Sequence, residues 1–139
     1  MTPLPALVAA YLRHAASQGD ADFRAWEEVR ELVLTQPEVA WPLVLALIDQ
    51  APTPAILGYI AAGPLEELIS AHGAQCVDRI EEETRRSPRF RQALAGVWGW
   101  SSIPRALRER FGRIPGLNVG ALPPRSDKRA RKPRRGAQE

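Results

Sequence analysis

The residues that could do chemistry in this chain gather between positions 66 and 91. Glu66 and Glu67 are adjacent carboxylates, His72 is one of two histidines, Cys76 is the single cysteine, and Arg89 and Arg91 follow. The carboxylates could act as general acid and base, the imidazole could move a proton, the thiol could attack, and the guanidinium groups could hold an anion. Spacing argues against most of this. Neighbouring residues on a helix point about 100° apart, so Glu66 and Glu67 do not form a close dyad. Glu66 stands about where a capping-box glutamate would. Cys76 falls on an apolar helix face with no histidine near it in sequence, which reads as a buried, inert thiol. With His14, His72 and one cysteine there is no ligand pair at zinc spacing. A Gly-rich phosphate loop, a Ser-His-Asp pattern and a dinucleotide fingerprint are all missing. The sequence therefore assigns no catalytic residue, no metal and no cofactor. It leaves one chemical alternative, a pocket formed by Glu66, His72 and Arg91.

Three other groups stand out. Arg89 and Arg91 come early in a helix, the end that the helix dipole makes unfavourable for cations. They are expected to pair with Glu66, Glu67 or the 81–83 glutamate run, with an anion site as the sharper reading. Among the tryptophans, Trp41 and Trp98 are expected in the core and Trp100, after Gly99, partly exposed. Trp41, Trp98 and Trp100 are also candidates for a binding groove, since tryptophan is common at interface hot spots. Finally, Lys128, Arg129, Arg131, Lys132, Arg134 and Arg135 form a basic run that could contact nucleic acid phosphates, though it has no aromatic ring for stacking.

The elements that must position these groups are helices. No stretch alternates apolar and polar residues between hairpin turns, so no sheet is predicted. Helices are expected over residues 4–17, 22–35, 43–50, 55–62, 64–72 and 74–86, then from Ser87-Pro88 to about Gly99, and from Ser102 to about Phe111. Asp20 or Asp22, Thr53 and Ser87 are the expected N-caps. Pro42, Pro54, Pro64 and Pro88 are expected starts, because a proline in the first turn has no donor to lose. Gly73 is expected to stop a helix with His72 facing inward, and residues 38–41 to form a short turn. The stripes Leu4, Leu7, Val8, Tyr11, Leu12 and Phe23, Trp26, Val29, Leu32, Val33 are expected to be buried. The 43–50 helix is apolar nearly all round and belongs at the centre. The fold class is all-α: about seven or eight short helices in an orthogonal or HEAT-like superhelical bundle.

Ala62-Gly63-Pro64-Leu65-Glu66, His72-Gly73, Pro88-x-Phe90-Arg91-x-x-Leu94 and Val97-Trp98 occur in that order. This series resembles the core of a bacterial family of small helical proteins of unknown function, over about residues 41–100. The resemblance implies a fold more than a role.

Charge divides the chain in two. Residues 113–139 hold eight Lys or Arg and two acids, net +6, whereas residues 1–112 hold eleven Arg and fourteen acids, net −3. A mildly acidic helical domain over 1–112 is expected to carry a largely disordered Pro/Arg-rich tail over 113–139, pinned at most by Leu117, Val119 and Leu122. One cysteine excludes an internal disulfide framework and fits a reducing cytoplasm. The longest apolar run, ten residues containing Pro42, is too short for a membrane span, and the N-terminus lacks the basic region of a secretory leader. The expected function is a non-enzymatic module that binds another protein, as an adaptor or immunity-type partner. Nucleic-acid association through the tail, and an enzyme or ligand pocket around Glu66, His72 and Arg91, are the alternatives.

Overall fold

Proline sets where three helices begin. Helices α3 (Pro37–Gln50), α4 (Pro54–Ile60) and α6 (Pro88–Leu94) each open on one. Two of them are capped as the sequence predicts: Ile56 N–H donates to Thr53 Oγ1 at 3.1 Å and Phe90 N–H to Ser87 Oγ at 3.0 Å. Each cap satisfies a donor that has no partner inside its helix. Thr53→Ala and Ser87→Ala are each expected to lower stability by about 1 kcal/mol, read as a shift in the urea midpoint with an unchanged slope.

The computed structural model describes residues 2–17 and 19–120. The remaining elements are α1 (Leu4–Ser17), α2 (Phe23–Thr35), α5 (Glu66–Arg86) and α7 (Arg105–Gly112), with a 3-10 turn at Trp100–Ser102. Among the described residues there is no strand. The fold is all-α. Among the described residues seven α-helical segments make six separate rods, slightly fewer than expected, because α4 runs without a break into α5.

That junction differs from the expectation. Gly63-Pro64 does not start a helix; it lies inside a π turn, Ala61–Leu65, that joins α4 to α5. A proline within a helix lacks a donor and crowds the carbonyl four residues back. Widening the turn relieves the crowding, and Glu66 N–H donates five residues back to Ala61. Gly73 likewise does not stop α5. The helix bends at His72 (φ −137°) and continues to Arg86. Gly73 is buried under α7, where a Cβ would stand 2.7 Å from Leu107 Cδ2. Close approach, not helix termination, is what the glycine provides. Pro42 does not open α3 either. It is exposed on the running helix, as is Glu38, whose carbonyl it has no N–H to reach. Helix α6 ends at Leu94, before Val97 and Trp98, as the 93–97 backbone tightens into i→i+3 bonds.

Helix α3 lies at the centre, against α1, α2, α4, α5 and α6, and buries Ala40, Leu43, Val44, Leu47 and Ile48. Helices far apart in sequence also pack together, α2 on α5 and α3 on α6.

Several burial expectations are corrected. Phe23 and Leu4 are exposed, not buried. Asp22 makes no cap bond and pairs with Arg13 instead. Trp100 is fully buried with its ring 5.2 Å from that of Phe111, while Trp41 and Trp98 are only half-buried. The 3-10 turn brings the Trp100 ring against α7. The packing also passes the expected boundary at Gly112: Ile114 is buried, and Leu117 and Val119 lie half-buried against the core. Gly116, at φ +83°, makes the turn between them, in a region L side chains rarely adopt. Leu122, the expected disorder after Pro123 and the basic run Lys128 to Arg135 lie outside the described residues.

Candidate functional site

Glu66, His72 and Arg91 are each engaged, and by different partners. Glu66 Oε1 accepts the Trp98 backbone N–H at 3.2 Å, across 32 residues. Its other oxygen lies 2.6 Å from where a Cβ on Gly99 would stand, so the carboxylate folds onto the 97–99 backbone. The imidazole of His72 donates from Nε2 to the Leu34 carbonyl, 3.1 Å away. Arg91 donates to the Thr84 carbonyl at 2.5 Å. The three share no partner. Arg91 lines two shallow clefts beside Ile114 and Pro115, and neither Glu66 nor His72 reaches them.

The basic groups follow one rule. Leu34 lies in the last turn of α2, and Thr84 in the last turn of α5. Arg89 donates to the carbonyls of Ile48 and Ala51 at the end of α3. Each side chain thus closes the C-terminus of a helix other than its own, where carbonyls lack partners and the dipole favours a cation. This corrects the expected pairing of Arg89 and Arg91 with acids. The acids are taken elsewhere: Glu81 by Arg110, Glu82 by Arg85 and Glu83 by Arg86. Cys76 is buried, and burial pushes its thiol up, against a smaller opposing effect of Arg79. It is held in the unreactive form. His14, which sequence reading passed over, is also buried, with Nδ1 3.1 Å from the Gly19 carbonyl.

The open chemistry lies at the π turn. Tyr11 of α1, Trp26 and Arg30 of α2, Tyr59 of α4, Pro64 of the turn and Glu67 of α5 surround a cleft of about 270 Å³. The two tyrosine rings stand 6.1 Å apart and tilted. Arg30 lies 5.9 Å from the Trp26 ring, and its Nε is 3.5 Å from Glu67 Oε2. Phe23 stacks on Trp26 at 5.3 Å and carries the aromatic surface out to solvent. Burial, then Tyr59 and Glu67, push the Tyr11 phenol well above its ordinary range, so it remains a neutral donor. The carboxyl of Glu67 is also raised. Burial is the main cause, Arg30 opposes it, and Glu66 adds to it. π turns recur at functional sites, and small clefts lined by aromatic rings with a few polar groups are the usual form of a binding site. The motif signal was present in the sequence at residues 62–66. The tyrosines and Trp26 gave no signal of joining it.

The raised Glu67 carboxyl sets a pH dependence. In the window from the ordinary carboxylate value up to its raised folded value, the folded state holds more protons than the unfolded state. Stability contributed by this group is then present at low pH and lost as pH rises through that window. Glu67→Gln is expected to flatten this part of the curve, seen in urea midpoints measured from about pH 4 to pH 7. An unchanged pH profile would contradict the assignment.

Among the described residues, no three His, Cys, Asp or Glu side chains come together to hold a metal ion, and no helix is long and apolar enough to cross a membrane. No curated protein and no solved structure matches the chain. One family's sequence model matches residues 14–115, which include every cleft residue named above except Tyr11. The chain belongs to this family of unknown function, DUF6869.

Proposed function

We propose that the protein is a non-enzymatic, cytoplasmic interaction module, an adaptor-type partner that binds another protein through the aromatic cleft at the π turn. The observation that carries this reading is the division of labour among polar groups. Glu66, His72, Arg89 and Arg91 are spent on backbone groups that hold the bundle together. At the cleft Trp26, Tyr59 and Arg30 reach solvent beside Glu67, and Trp, Tyr and Arg are the types that dominate binding energy at protein interfaces. A tyrosine or tryptophan also loses little conformational freedom on binding.

The test is capture of partners on the tagged full chain from cells that make it natively, beside the Trp26→Ala, Tyr59→Ala double variant. The expected result is a defined protein retained by the native chain and lost by the variant while the variant keeps its helical circular dichroism. An identical set retained by both would overturn the reading.

A second reading rests on the charge division of the sequence, with net +6 over residues 113–139. In it the basic run Lys128 to Arg135 associates with nucleic acid. Counterion release would make such binding fall steeply with salt. Retention on DNA and RNA at two salt concentrations, with and without Lys132→Glu, Arg134→Glu and Arg135→Glu, tests it. Retention unaffected by both salt and substitution removes it.

A further inference from the structure

The helix face beside the cleft is both apolar and acidic. Phe23 and Leu34 of α2 are exposed large apolar side chains, 42% and 40% accessible. Positions 23, 26, 27, 30, 31 and 34 recur at three- and four-residue spacing and share one side of α2. Glu27 and Glu31, on that side, are exposed, and their carboxylates make no ion pair among the described residues. Glu67 joins the same surface through Arg30. A surface of this kind fits an extended basic chain that carries a compact apolar residue for the cleft mouth.

The protein's own sequence supplies one. Lys128-Arg129-Ala130-Arg131-Lys132-Pro133-Arg134-Arg135 is cationic at six of eight positions, with a single proline flanked by cations. Charge complementarity runs the same way over the whole chain. Residues 2–120 carry twelve Arg and fourteen acids, net −2, and residues 121–139 carry seven Lys or Arg and two acids, net +5. From Gly120 to Lys132 an extended chain spans up to about 40 Å, comparable with the diameter of a globule whose radius of gyration is about 14 Å. A proline ring is flat, apolar and fixed in φ, and grooves lined by Tyr and Trp accept it at low entropic cost.

We propose that residues 128–135 dock on this face of the same chain, with Pro133 against the Trp26 and Tyr59 rings and the flanking cations on Glu27, Glu31 and Glu67. The inference rests on the cleft being the binding surface. It makes the tail an internal occupant that a partner must displace.

The experiment uses the full chain with a nitroxide at Ala137→Cys, Cys76 being buried and left native, and reads amide peak intensities in ¹⁵N spectra against a reduced control. At low salt the amides of Phe23, Trp26, Glu27, Tyr59 and Glu67 are expected to lose more than half their intensity. The loss should vanish with Lys132→Glu, Arg134→Glu and Arg135→Glu combined. It should also vanish near 1 M salt, where the screening length falls to about 3 Å. Full intensity at low salt, or a loss that survives charge reversal, would overturn the proposal. So would a loss appearing in a dilute mixture of ¹⁵N chains lacking the nitroxide with unlabelled chains carrying it, because the contact would then lie between copies. Partner capture that depends on Trp26 and Tyr59, together with undiminished amide intensities, would sink this inference and leave the binding reading intact. Diminished intensities with capture indifferent to the cleft would do the opposite.

Discussion

Trp100→Ala should cost about 3–5 kcal/mol of unfolding free energy, the range for truncating a large buried aromatic. Trp98→Ala should cost less than half as much. The indole of Trp100 is 1% exposed and packs against Phe111, and its carbonyl accepts from Arg108. Trp98 is half-buried, and its contribution runs through its backbone N–H, which alanine keeps. Trp100→Phe sharpens the test. Trp100 Nε1 is buried with no hydrogen-bond partner among the described residues. Leaving a buried donor unsatisfied costs about 1–3 kcal/mol, so phenylalanine removes a liability along with part of the ring. It should fall well between the native chain and Trp100→Ala. Urea unfolding with an unchanged slope gives the ranking. A larger effect at Trp98 than at Trp100 would mean that the 3-10 turn does not bring the Trp100 ring against α7.

Arg89→Ala should cost about 2–3 kcal/mol, because two carbonyls at the end of α3 lose a charged donor together. Ile48 and Ala51, which own those carbonyls, are both buried, so water replaces the guanidinium poorly. Arg89→Lys should recover only part of the loss. An ammonium is a point charge without the planar fork that reaches two oxygens at once. The lysine variant also separates two causes. A cation near a helix C-terminus is worth about 0.3–1 kcal/mol through the dipole alone. If lysine restored native stability in full, proximity of charge would be sufficient and the two-carbonyl geometry would be incidental.

The helical class was legible because turn chemistry is local. Thr53-Pro54 and Ser87-Pro88 state a cap and a first residue without reference to the rest of the chain, and both caps form. Pro64 and Gly73 were misread because their outcome depends on neighbours far away in sequence. Pro64 is buried, so the chain around it is held in a continuous rod that must widen. Gly73 meets Leu107, and no local signal announces a helix crossing at that point. The order of the tryptophans was illegible for another reason. Between Ala95 and Gly99 the chain is neither helix nor strand, so no period says which ring turns inward.

The site divides in the same way. That Glu66 is structural could be argued from its place near a helix start, although its partner, the Trp98 backbone, could not. Arg89 and Arg91 looked misplaced by their own helix dipole. They belong to the ends of other helices, and the backbone carbonyls they reach leave no mark in a sequence. The cleft draws Tyr11 and Tyr59 from opposite ends of the first four helices, so only the tertiary fold brings those rings to the π turn.

The central claim is that the polar residues of the 66–91 stretch hold the bundle while the aromatic cleft meets the partner. Measuring urea midpoint and partner retention side by side for Arg91→Ala and Tyr59→Ala tests it most directly. The account predicts that Arg91→Ala lowers the midpoint and keeps the partner, whereas Tyr59→Ala loses the partner with the smaller change in midpoint. Partner loss on Arg91→Ala at native stability, with retention by Tyr59→Ala, would contradict it.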